Sequence, residues 1–138
     1  MVSLLDTGPL VAALDARDTY HDWAREQFAN TTPPFLTCEA VISEACHLTK
    51  RAGGDSETVL RLVDLGVVAV PFHFNDHVDA VRKLMRKYND LPASFADACL
   101  VRMAEIWDNA TLVTMDSDFL TLRKHGRQRI PVTLPILS

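Results

Sequence analysis

Residues 2–15 read VSLLDTGPLVAALD, and the fold unpacks outward from them. Residues 2–6 are a short apolar run, ending in Asp6, that suits a buried strand. Gly8-Pro9 breaks the run. Pro9 suits the first turn of a helix carrying Leu10, Ala13 and Leu14, because its missing N–H has no intrahelical partner to lose there. The same pattern, strand then helix, recurs along the chain. A second helix is expected over residues 20–29, burying Trp23, Ala24 and Phe28. Residues 35–37 suit a short strand, and residues 39–50 a helix with Val41, Ala45 and Leu48 at helical spacing, Ile42 and Cys46 beside them. Residues 56–65 suit a helix ended by Gly66. The β-branched run 67–72 suits a strand.

Further on, Asn75 or Asp76 is expected to cap a helix that buries Val78, Val81, Leu84, Met85 and Tyr88. Ser94 caps the next helix, with Asp97 three residues later as in a capping box. Residues 111–115 suit a strand and 116–124 a loop or short helix. Residues 132–136 suit a last strand, at an edge because of Pro131 and Pro135. Strands alternating with helices imply an α/β fold with a parallel sheet covered on both faces. The length of 138 residues suits one domain over 1–138. Ligands of such sheets bind beyond the carboxyl ends of the strands. Asp6 and Asp116, each at the end of an expected strand, should therefore share one edge.

Two further acids stand out. Glu44 interrupts an amphipathic helix, and Asp97 opens another between Ala96 and Ala98, where first-turn N–H groups favour an anion. Carboxylates drawn together repel, and a divalent cation resolves the conflict. Oxygen-only sites suit Mg²⁺ or Mn²⁺. Such a metal lowers the pKa of its water, holds a phosphate and neutralises a leaving oxygen, a set of roles fitting phosphodiester hydrolysis. Each acid also has a plainer reading: Asp6 and Asp97 as helix caps, Glu44 as a solvated helix residue, Asp116 and Asp118 as turn formers. His21, His47, His73, His77 and His125 lack metal-ligand spacing. No Ser-His-Asp or Cys-His arrangement and no glycine-rich phosphate loop can be argued. Cys38, Cys46 and Cys99 are odd in number and widely spaced, and are expected to be buried, reduced thiols.

The net charge of −4 argues weakly against a nucleic-acid partner. Its distribution removes that objection: eighteen acids less Asp6, Glu44, Asp97, Asp116 and Asp118 leave thirteen against fourteen basic residues. No apolar run approaches the roughly 20 residues of a membrane span. The N-terminus lacks the pattern of a signal peptide, so the expected location is the cytoplasm.

These motifs, in this order, resemble the PIN domain family, and in particular the compact ribonuclease toxins of VapBC-type toxin–antitoxin pairs. LLDTGPLVAALD resembles the first motif, with Asp6 as a metal ligand. VISEACHL resembles the second with Glu44, SFADACLVRMAE the third with Asp97, and TLVTMDSDF the fourth with Asp116 and, less closely, Asp118. The resemblance implies a three-layer α/β/α fold around a mostly parallel five-stranded sheet. It implies an endoribonuclease dependent on Mg²⁺ or Mn²⁺, catalysis by Asp6, Glu44, Asp97 and Asp116, and metal binding by Asp6, Asp97, Asp116 and Asp118. Thr7 and Thr114 match hydroxyl positions beside the family's ligands, and Ser94 supports Asp97. A homodimer and a small antitoxin reaching into the acidic groove are implied as partners.

Two basic groups, Arg82, Lys83, Arg86 and Lys87 on one expected helix and Arg123, Lys124, Arg127 and Arg129 near the C-terminus, could contact RNA phosphates or form a solvated face. Alternatives are an RNA-processing nuclease without an antitoxin, a DNA-cleaving metal nuclease, and a non-catalytic module that binds metal or RNA. A haloacid-dehalogenase-like phosphatase wants an aspartate where Gly8 stands. A receiver domain wants one after a middle strand, where the run 67–72 is followed by His73.

Overall fold

A computed structural model describes residues 1–135. Its strands are β1 (Val2–Leu5), β2 (Phe35–Leu36), β3 (Val68–Ala69), β4 (Ala110–Val113), β5 (Arg123–Lys124), β6 (Gln128–Arg129) and β7 (Val132–Thr133). Five of them form one parallel sheet in the order β3-β2-β1-β4-β7. β1 is central, pairing with β2 on one side and, over its whole length, with β4 on the other. Leu4 and Leu5 point to opposite faces of the sheet, yet both are fully buried, so both faces are covered.

The connections explain the covering. α1 (Thr7–Leu14) and α2 (His21–Asn30) link β1 to β2, and α3 (Glu39–Arg51) and α4 (Glu57–Asp64) link β2 to β3. Both crossovers step the same way across the sheet. α5 (Val78–Lys87) and α6 (Phe95–Ile106) carry the chain back past β1 to β4. Right-handed crossovers then put α1 to α4 on one face and α5 and α6 on the other. The chain reverses direction across the sheet between β1 and β4, and a crevice opens at the carboxyl ends of such a neighbouring pair.

Several expected elements are shorter or placed differently. β3 covers only Val68–Ala69 of the run 67–72, because Pro71 has no N–H to continue the ladder. β4 stops at Val113, so Asp116 lies beyond the strand rather than at its end. The Thr114 hydroxyl accepts the Asp116 N–H at 3.0 Å and turns the chain, and Asp116 caps a 3₁₀ turn over Ser117–Leu120. Neither Asn75 nor Asp76 caps α5; a 3₁₀ turn over Phe74–His77 feeds it, and Met85 stands 40% exposed rather than buried. Trp23 and Phe28 are half-buried, Phe28 packing on Phe35 at 4.8 Å between ring centroids. Among the thiols, Cys38 and Cys99 are buried, while Cys46 is only half-buried. The small antiparallel hairpin of β5 and β6 was not legible in the sequence; its turn places His125 and Gly126 at φ 51° and 83°. β7 lies at the sheet edge as Pro131 and Pro135 suggest, and Ile136 falls outside the described residues. Among the described residues no helix is long and apolar enough to cross a membrane.

Candidate functional site

At the crevice between β1 and β4, an open cleft of about 550 Å³ is lined by Asp6, Thr7, Gly8, Glu44, Leu48, Pro92, Ser94, Asp97, Met115, Asp116 and Ser117. Four segments distant in sequence thus bring their acids to one place. Asp6 follows β1 directly and is the N-cap of α1, 8% exposed. Its Oδ1 accepts the Thr7 N–H at 2.8 Å, and its Oδ2 accepts the Thr114 hydroxyl at 2.7 Å. Thr114 is fully buried and joins two acids, since it also takes the Asp116 N–H.

Asp97 is held by the capping box the sequence predicts. Its Oδ2 accepts the Ser94 N–H at 2.9 Å, and its own N–H donates to Ser94 Oγ at 3.1 Å. Asp116 Oδ1 accepts the Asp118 N–H at 2.9 Å. Asp97 Oδ1 and Asp116 Oδ2 accept no hydrogen bond among the described residues. Capping and ligation are therefore compatible: in both residues one carboxylate oxygen fixes the backbone and the other stays free.

Burial pushes the Asp6 carboxyl up to about 6, opposed by the hydrogen bonds from Thr114 and Thr7 and reinforced by the charges of Asp97 and Asp116. Burial also raises Asp97, with the Ser94 N–H opposing and the charges of Asp116 and Asp118 adding to it. Asp6, Asp97 and Asp116 thus sense one another electrostatically. Glu44 lines the cleft from α3 as an exposed side chain. Asp118 does not line it; its N–H orients Asp116 and its charge reaches Asp97.

Among the described residues no three His, Cys, Asp or Glu side chains close into a ready-made metal cage. A tight Zn²⁺-like site needs such a cage, but Mg²⁺ keeps several waters and takes one or two carboxylates plus substrate phosphates. The donor set fits such an ion: oxygens only, two of them free, with mutual repulsion that a cation relieves. The residues able to hold it are Asp6, Asp97 and Asp116, with Glu44 at the rim.

Sequence reasoning missed several lining residues. Gly8 is one: a Cβ there would meet Met115 Sδ at 3.3 Å and Cβ at 3.4 Å, so a side chain would press the cleft wall. Its only signal was its place in D-T-G-P. The Thr7 hydroxyl is buried with no hydrogen-bond partner among the described residues. Arg82, Lys83, Arg86 and Lys87 are exposed, and none lines the cleft.

A parallel α/β sheet with carboxylates converging at its switch point defines a class of acidic-cleft proteins. Within that class this chain belongs to the PIN domain family, whose model matches residues 3–124. The chain is 27% identical over 132 residues to ribonuclease VapC26 of Mycobacterium tuberculosis, covering 94% of this chain and 98% of the relative. Its fold matches the crystal structure of Mycobacterium tuberculosis VapC20, described as a sarcin–ricin loop cleaving toxin, with a TM-score of 0.69. That match has 22% sequence identity and covers 84% of this chain and 91% of the other.

Proposed function

We propose that this chain, as one PIN domain over 1–138, is a divalent-metal-dependent endoribonuclease of the VapC toxin type. The observation that carries the reading is the convergence of Asp6, Asp97 and Asp116 in one open cleft, each fixed through one carboxylate oxygen by a backbone N–H. Similarity to VapC26 along nearly the whole of both chains supports RNA as the substrate.

In this reading Asp6, Asp97 and Asp116 hold Mg²⁺ or Mn²⁺, Asp118 assists through Asp116, and Glu44 acts from the rim with Asp6, Asp97 and Asp116 as the catalytic acids. When bound, the ion supplies activation of water and charge neutralisation at the scissile phosphate. The chain's own groups do the positioning. Thr114 locks Asp6 and the turn before Asp116 into one unit, and Ser94 fixes the Asp97 rotamer. Thr7 opens α1 beside Asp6. The N-termini of α1 and α6 both lie at the cleft and favour an anionic phosphate. A homodimer, a small antitoxin partner and a cytoplasmic location belong to the same proposal.

The test is to offer the protein single-stranded RNA and DNA of one sequence, with Mn²⁺ and with EDTA. Metal-dependent cleavage of RNA alone is expected. Equal cleavage of DNA would point to a general metal nuclease, and cleavage of neither by a folded protein would favour the non-catalytic module.

A further inference from the structure

The two basic groups, separate in sequence, are one surface in the fold. Lys87, in the last turn of α5, donates from Nζ to the Gly126 carbonyl at the tip of the β5–β6 hairpin, 2.8 Å away. The next residue, Tyr88, accepts the Arg123 N–H at 3.0 Å, and the Lys87 ammonium lies 5.2 Å from the Tyr88 ring centroid. The hairpin is pinned a third time by the His125 N–H, which donates to Glu105 on α6 at 2.7 Å.

These ties bring together Arg82, Lys83, Arg86 and Lys87 with Arg123, Lys124, Arg127 and Arg129, and neither 82–87 nor 121–131 contains an acid. Of the nearby acids, Asp79 and Glu105 are already engaged, and Asp90 lies on the connection from α5 to the cleft. Asp79 pairs with Lys83 at 3.0 Å, and Glu105 pairs with Arg102 at 3.2 Å besides holding His125. Among the described residues Arg82, Arg86, Lys124, Arg127 and Arg129 make no ion pair. Unpaired guanidinium groups on a helix and hairpin braced against each other are suited to phosphate oxygens, which they bind in a planar fork.

Position links this surface to the cleft. Four residues lie between Lys87 and the lining residue Pro92, and five between the lining residue Ser117 and Arg123. Even fully extended, these connections span only about 20 Å. We propose that α5 and the β5–β6 hairpin form one composite cationic platform that holds the phosphodiester backbone of RNA and delivers it to the acidic cleft. The identity of the polyanion rests on the ribonuclease reading; the platform itself rests on the bracing and the unpaired cations.

Arg82, Arg86, Arg127 and Arg129 are exposed and make no side-chain hydrogen bond among the described residues, so replacing all four with Gln leaves the fold intact. Binding of a labelled oligoribonucleotide in EDTA is measured against salt for the parent and this variant, with single-stranded DNA of the same sequence alongside. The variant is expected to bind at least about tenfold more weakly at ~100 mM salt, with a log–log salt slope flatter by about 2 to 3. In Mn²⁺ it is expected to keep the parent's turnover on a very short RNA and to show a raised KM on a long one. DNA binding with the same loss would support a phosphate-reading platform. Unchanged affinity and slope would overturn the platform, even if cleavage is metal-dependent. Weakened binding without cleavage by either protein would sustain the platform and sink the ribonuclease reading. No binding of either nucleic acid would overturn it in favour of an acidic protein partner.

Discussion

Replacing Asp6 with Asn should stabilise the metal-free protein while abolishing its activity. The substitution keeps the shape of the side chain and an oxygen to accept the Thr7 N–H, and the new amide can donate to the Thr114 hydroxyl. What it removes is a buried charge. A carboxyl raised from 3.8 to about 6 costs about 3 kcal/mol to keep ionised at neutral pH. Imperfect repair of the Thr114 contact offsets part of this, leaving about 1–3 kcal/mol, or a rise in Tm of about 3–10 °C for a chain of this size. The pH dependence fixes the sign. Because the folded pKa is raised, the favourable contribution of Asp6 is full below 3.8 and is lost as pH rises through about 6. The gap between variant and parent should therefore be absent near pH 4, open between the two values and level off above them. Thermal melts of both proteins in EDTA across this range measure it. A variant no more stable than the parent at neutral pH, or a gap that persists in acid, would refute the claim that burial strains Asp6.

Thr114→Val should destabilise the protein by about 1.5–3 kcal/mol, because a fully buried hydroxyl that serves Asp6 and the Asp116 N–H is lost; Thr114→Ser should restore most of it in denaturant melts. Ser94→Ala removes one side of the capping box, the Oγ that accepts the Asp97 N–H, and should cost about 1 kcal/mol in denaturant melts; the Ser94 N–H still holds the Asp97 carboxylate, so the cleavage rate should change little. Thiol labelling of the native protein should reach Cys46 first. Cys38 and Cys99 are buried and should react only on unfolding, and equal rates for all three would contradict that packing.

The legible part of the fold was the alternation of apolar strands and amphipathic helices, which is a local signal. VSLLD followed by Gly8-Pro9 carried β1 and α1, and S-F-A-D carried the α6 cap, because both depend on neighbours in sequence. The meeting of Asp6 and Asp116 at one edge followed from the rule for parallel sheets. The less legible parts depend on distant contacts or on competing local signals. The run 67–72 suggests too long a strand because its β-propensity is overridden at Pro71, which cannot donate to the ladder. Asp116 looks like a strand terminus, whereas Thr114 turns the chain two residues earlier. The β5–β6 hairpin, rich in charge and without alternation, has no local signature. It is fixed by Lys87, Tyr88 and Glu105 from other parts of the chain. The same long-range bonds turn two unremarkable basic stretches into one surface. The acids themselves are each ambiguous between cap and ligand in the sequence, and the structure gives the reason: Asp6, Asp97 and Asp116 each cap a turn with one oxygen.

The most direct test of the central claim is the rate of RNA cleavage as a function of Mn²⁺ concentration, for the parent protein and for Asp97→Asn. The acidic cleft predicts no cleavage without the ion, a rate that rises to a plateau with it, and near-complete loss in the variant at every concentration. Cleavage that persists in EDTA, or an Asp97→Asn protein as active as its parent, would contradict it.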